Sequence, residues 1–187
     1  DGENIIFASC AKGLWKINIF NSNGLIQEFN QPFTVLSDIK VDSGKLIAIA
    51  SSPLCSPGLL ELDIKSNTWR HSPSGNNLVP KKDISIAQSF SFEGYGGKET
   101  QAWLYLPIYK KKVVPPLLVK SHSGPTSMAA NGLNLAIQYW TSRGWAVVDV
   151  NYSGSTGFGR QYRDRLKESW GEADVFDCAA AASNLIT

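Results

Sequence analysis

The chain has 187 residues, 43% of them hydrophobic and 11% aromatic, with a formal charge of +2. That composition belongs to a packed globular chain of one domain or parts of two, and excludes a disordered one. The small charge leaves no footprint for a nucleic acid partner, and no apolar stretch approaches the roughly 20 residues that a membrane-spanning helix needs.

The N-terminus, DGENIIFASC, has neither the basic region nor the apolar core of a targeting segment. It also lacks an initiator methionine, so further sequence is expected upstream. Cys10, Cys55 and Cys178 are widely spaced and form no C-x-x-C pair. This argues against a zinc site or a disulfide framework and points to a reducing, cytoplasmic compartment. Neither metal nor cofactor is expected.

Residues 1–80 read as short strands. NIIFASC, GLWKINI, KLIAIAS and GLLELDI alternate apolar with polar residues, and NSNG, DSG and SPSG separate them as turns. Gly13-Leu14-Trp15-Lys16-Ile17-Asn18-Ile19 matches Gly58-Leu59-Leu60-Glu61-Leu62-Asp63-Ile64 at an offset of 45 residues (58 − 13). A period of about 40–50 residues with several strands per unit marks propeller blades. A β-meander with a chance similarity is the plainer alternative. Blades need neighbours to bury their faces, so residues 1–80 are expected to be the last blades of an incomplete propeller.

From residue 81 to 187 the pattern changes. Ile84-Ser85-Ile86 and QSFSF alternate as a half-exposed strand, EGYGGKE turns, and QAWLYLP returns as the second strand of a hairpin. The run Lys110-Lys111-Lys112 reads as a solvated loop. PPLLVKS and WAVVDVNY are nearly continuous apolar strands of the kind buried on both faces of a sheet. Between them Leu133, Ala136, Ile137 and Trp140 mark a helix that Arg143-Gly144 stops. A last helix carries Val175, Cys178, Ala179, Ala182, Leu185 and Ile186 on one stripe. Strand, helix, strand, helix predicts a parallel sheet with right-handed crossovers.

In such a sheet chemistry collects at the carboxyl ends of the strands, where SHSGPTS and NYSGSTGFG fall. GSTGFG fits neither the Walker pattern nor the dinucleotide fingerprint, which argues against nucleotide binding. SHSGP suits an oxyanion site, where backbone N–H groups face the oxygen that becomes negative in acyl transfer. A Ser123–His122 nucleophile and base is disfavoured, because neighbours in extended chain point in opposite directions and Ser123 lies in no G-x-S-x-G turn.

Three separated motifs, H-x-G-P, N-Y-x-G-S-x-G-(Y/F)-G and W-G-x-x-D-x-x-D, occur in LLVKSHSGPTS, WAVVDVNYSGSTGFGRQYRDRL and WGEADVFDCAAAASNL. Over residues 84–187 the chain resembles the prolyl oligopeptidase family of serine peptidases, in its dipeptidyl aminopeptidase and acylaminoacyl-peptidase-like branch. The resemblance implies all-β propeller blades followed by the N-terminal part of an α/β-hydrolase domain. It implies that Gly124 donates its N–H to the oxyanion, and that His122 opens the loop without being the catalytic histidine. It also places Gly154, Ser155, Gly157 and Gly159 in a turn beneath the site, and Trp170-Gly171, Asp174 and Asp177 at the entry to the next helix. The two aspartates suit helix capping and packing better than catalysis.

Ser123 departs from the family, where a second glycine is usual. No G-x-S-x-G occurs in the chain. No catalytic residue is therefore assigned; the oxyanion and substrate loop is His122, Ser123 and Gly124, and the triad is expected beyond Thr187. The chain alone is expected to be inactive, as a piece of a peptidase that cleaves short peptides or acylaminoacyl groups. An esterase and a non-catalytic scaffold are the alternatives. A peptide is the expected partner, and a homo-oligomer is left open.

Overall fold

The computed structural model describes residues 4–75, 79–108, 114–124 and 126–186. The Lys110–Lys112 run and Pro125 lie outside these. The chain divides into two compact units, one of residues 1–78 with 131–133, the other of residues 79–130 with 134–187.

The first unit is all β. β1 (Ile5–Ala11), β2 (Leu14–Phe20) and β3 (Ile26–Glu28) form one antiparallel sheet. β4 (Val35–Asp42), β5 (Lys45–Ser52), β6 (Cys55–Asp63) and β7 (Thr68–Pro73) form a second, in chain order. Lys12-Gly13 and Ser43-Gly44 close two of the hairpins with both residues at positive φ, between 48° and 76°. Such two-residue turns match the twist of the strands they join.

The 45-residue repeat places β2 on β6. Ile17 and its counterpart Leu62 (17 + 45) are both at 0% exposure, in one core with Phe33, Leu36, Leu46 and Leu60. Both sheets thus contribute to one core. Residues 131–133 complete this unit: Leu133 N–H donates to the Ser52 carbonyl (2.9 Å), and Thr34 Oγ1 to Asn131 Oδ1 (2.7 Å). Gly132 sits where a Cβ would come within 2.6 Å of Ser51 Oγ, so only glycine allows this approach.

The second unit is a mixed sheet with helices. β8 (Gln88–Glu93) and β9 (Glu99–Tyr105) form the expected hairpin, β10 (Leu117–Ser121) and β11 (Ala146–Asn151) are parallel, and the order is β10-β11-β9-β8. All six residues of β11 are buried. β10 has β11 as its strand neighbour among the described residues and is half-buried, with Val119 38% exposed.

Residues 84–86 are not a strand. Gln138 of α1 (Leu135–Thr141) takes the Ser85 backbone instead: Ser85 N–H donates to Gln138 Oε1 (2.7 Å), and Gln138 Nε2 to the Ser85 carbonyl (3.0 Å). A side-chain amide here supplies what a neighbouring strand would. Leu133 lies before α1 rather than on its stripe, because the Asn134 side chain caps the helix through Ala136 N–H and Ile137 N–H.

α2 (Arg160–Arg163) is a short turn, and α3 (Ala173–Ile186) packs on β10 and β11. Its buried stripe runs through Ala173, Asp177 and Ala181, with Cys178 half-buried. Val175 and Ile186, expected on that stripe, are 62% and 71% exposed. The stripe is rotated because Asp177 is inside. Its Oδ1 accepts from Tyr95 N–H (2.7 Å) and its Oδ2 from Ser153 N–H (2.6 Å). Asp174 acts at the helix entry, accepting from Gly171 N–H at 2.7 Å. No helix among the described residues is long and apolar enough to cross a membrane.

Removing the Asp177 carboxylate leaves the buried Ser153 amide and the part-buried Tyr95 amide without an acceptor. Asp177→Ala is expected to cost about 3–5 kcal/mol, against about 1 kcal/mol for Asp174→Ala at the exposed cap. Urea unfolding midpoints of the two variants would check this, and equal losses would refute the buried role.

Candidate oxyanion site

β10 and β11 are parallel and in register, Ser121 beside Val150, so their carboxyl ends coincide. The loops that follow therefore lie side by side, and Thr156 N–H donates to the Ser127 carbonyl (3.0 Å) to join them. His122, Ser123 and Gly124 begin the first loop. Tyr152, Gly154 and Ser155 lie in the second.

The His122 ring is held from two sides. Its Nε2 lies 2.7 Å from Ser155 Oγ, and it stacks on Tyr152 with ring centroids 4.2 Å apart and planes 18° from parallel. Burial lowers the His122 pKa below its ordinary value, so the ring is neutral at neutral pH. Ser155, at 0% exposure, also donates to the Tyr152 carbonyl (2.7 Å). Gly154 is required beneath them, since a Cβ there would lie 2.6 Å from Leu166 Cβ.

Gly124 has φ +71°, and a Cβ there would meet nothing within 4 Å. The need for glycine is conformational, not spatial. Ser123 is not among the residues at positive φ, so its β-carbon fits the loop without backbone strain. Among the described residues, neither the Ser123 nor the Gly124 amide donates to another group of the protein. Two uncommitted N–H groups in consecutive residues are the raw material of an oxyanion site.

An open cleft of about 370 Å³ lies against this loop, lined by His122, Gly124, Tyr152, Trp170, Val175 and Cys178. Its thiol is no nucleophile: burial, with Asp177, Asp174 and Asp149 nearby, pushes Cys178 up to about 11. Ser123 and His122 show no mutual side-chain bond; the His122 ring approaches the Ser123 carbonyl instead, at 3.4 Å from Nδ1. Among the described residues no cluster of three or more His, Cys, Asp or Glu could hold a metal ion.

Just below the loop, Lys120 and Asp149 pair across β10 and β11 at 2.7 Å. The Asp149 side chain is 3% exposed, that of Lys120 39%. Burial raises the Asp149 pKa, and Lys120 partly offsets the rise. Asp149 Oδ1 and the Tyr105 hydroxyl are buried without a hydrogen-bond partner among the described residues. Neither this pair nor the Tyr152 and Ser155 contacts to His122 stood out in the sequence, since each joins residues about thirty positions apart.

The family model for the prolyl oligopeptidase family matches residues 131–187. Over those residues the chain is similar to the prolyl oligopeptidase family. An acylamino-acid-releasing enzyme of Arabidopsis thaliana is 26% identical over 170 residues, which cover 79% of this chain and 22% of that protein. The crystal structure of a puromycin hydrolase superposes with a TM-score of 0.88 at 33% identity, covering 96% of this chain and 29% of that one. A puromycin-hydrolyzing peptidase of Mycobacterium tuberculosis gives 0.92 at 26% identity, covering 98% and 29%. The chain thus spans less than a third of the length of these relatives. It carries the family's arrangement of propeller blades followed by the first part of an α/β-hydrolase domain.

The buried Asp149 sets a pH dependence. With its folded pKa above the unfolded value near 3.8, the folded state holds a proton that the unfolded chain has released. Stability then falls as pH rises through that interval. Asp149→Asn is expected to flatten this slope in urea unfolding measured from about pH 4 to about pH 7. An unchanged slope would show that Asp149 does not titrate anomalously.

Proposed function

We propose that this chain supplies the oxyanion loop, and part of the screening propeller, of a serine peptidase. The observation that carries the reading is the pair of amides at Ser123 and Gly124 that donate to no group among the described residues, at the carboxyl end of a parallel strand and beside an open cleft. A carbonyl oxygen placed there would gain negative charge as a nucleophile attacks, and fixed backbone dipoles stabilise that charge more than they stabilise the ground state. A serine on a G-x-S-x-G turn following α3, with a histidine and an aspartate further on, would complete the acyl-enzyme route. Relatives that release acylamino acids or hydrolyse puromycin favour short peptide and acylaminoacyl substrates. The chain's three cysteines, without any metal or disulfide spacing, suit a cytoplasmic enzyme.

The second reading is a scaffold that has lost its chemistry, which Ser123 in place of glycine favours. Fluorophosphonate labelling of the full-length protein separates the two. Labelling of a serine downstream of Thr187, with turnover of an acylaminoacyl p-nitroanilide, is expected; an intact protein that neither labels nor turns over is a scaffold. The 187 residues alone are expected to give no turnover, and hydrolysis by that piece would overturn the assignment of the nucleophile outside it.

A further inference from the structure

The amides of an oxyanion site act only if something fixes their direction. Tyr152, 4% exposed, reaches the loop with its hydroxyl: Oη lies 2.8 Å from the Gly124 carbonyl oxygen and 3.2 Å from that of His122. Its ring meanwhile stacks on the His122 imidazole. A trans peptide holds C=O and N–H on opposite sides of a rigid plane. Turning the His122 carbonyl toward Tyr152 therefore turns the Ser123 N–H away from it. Holding the Gly124 carbonyl anchors the far side of the next unit. The Ser123–Gly124 peptide, which carries the Gly124 N–H, is bracketed between two carbonyls that gather on one hydroxyl. Residue 125 is a proline and has no N–H to offer, so Gly124 is the last donor before it.

We infer that Tyr152 is a positioning residue that aims the Gly124 amide through its hydroxyl, an inference that rests on the oxyanion reading above. Ser155 supports it by holding His122 Nε2 and the Tyr152 carbonyl together, both at 2.7 Å, so that the stacked rings move as one. No step of the reaction passes through Tyr152. It touches the loop, not the reacting atoms.

The test uses the full-length protein and Tyr152→Phe, which keeps the ring stack and removes only the hydroxyl. On an acylaminoacyl substrate kcat is expected to fall about tenfold with KM changed less than about twofold. The inhibition constant of a peptide boronic acid, a tetrahedral mimic, should rise by a matching factor while a product peptide binds as before. A kcat and boronate affinity that do not change, or losses of kcat and KM that track a loss of Tm, would overturn the inference. Ser155→Ala, which leaves the hydroxyl in place, is expected to lower kcat less than Tyr152→Phe; an equal or greater loss also counts against Tyr152.

A separate measurement isolates the underlying reading. In wild-type protein labelled with 15N-glycine, the Gly124 amide proton should move downfield on boronate binding. No movement rejects Gly124 as an oxyanion donor. Movement that is the same in Tyr152→Phe, with unchanged affinity, rejects only the role of Tyr152.

Discussion

A buried carboxylate holds the second unit together. Asp177, at 0% exposure, sits on α3 and accepts from Tyr95 N–H before β9, from Thr100 Oγ1 (3.4 Å) within β9, and from Ser153 N–H just after β11. Apolar packing of Val148, Val150 and Ala181 brings helix and sheet together, but such packing is not directional. The carboxylate supplies direction, because one oxygen engages the turn between β8 and β9 and the other the loop after β11. Gly94 shows how closely the elements meet: a Cβ there would overlap both Asp177 Oδ1 and Thr100 Oγ1. Ser153, held by Asp177, is the neighbour of Tyr152, which meets the His122–Gly124 loop. The site therefore inherits its placement from a residue that never touches the cleft.

What the sequence made legible follows from which interactions are local. The hairpin at DSG was readable because Ser43-Gly44 carries the turn in its own φ values, whereas the equivalent turn at Lys12-Gly13 did not stand out. β11 was readable because burial on both faces demands a continuous apolar run. The 45-residue repeat was readable because Ile17 and Leu62 answer to the same core. The strand expected at 84–86 was not found, because Gln138 reaches its backbone from 53 residues away, and no periodicity reports a side-chain amide used as a strand substitute. The α3 stripe was misjudged for a related reason: hydrophobic counting assigns an aspartate to solvent, whereas Asp177 is inside because three donors meet it. For the candidate site, the loop's location at a strand end was legible, and the partners that shape it were not. Tyr152 and Ser155 look like members of a glycine-rich turn until the fold sets them against His122.

The charge state of the cleft bears on how it could work. His122 is neutral, and the Cys178 thiol keeps its proton at neutral pH. Asp174 lines the same cleft with its carboxylate engaged by Gly171 N–H, so the fixed charge present there opposes an anionic ground-state ligand. What remains for an incipient oxyanion is the pair of backbone dipoles at Ser123 and Gly124. Dipoles do not titrate and do not draw in bulk anions as a lysine would. They favour charge only where it develops within hydrogen-bond reach, which makes their benefit larger in the transition state than in the bound substrate. That selectivity depends on orientation, because a dipole turned away from the developing charge loses its effect. A loop whose carbonyls are gathered on Tyr152 while its amides stay uncommitted meets that requirement, and Ser123, in an ordinary backbone conformation, does not break it.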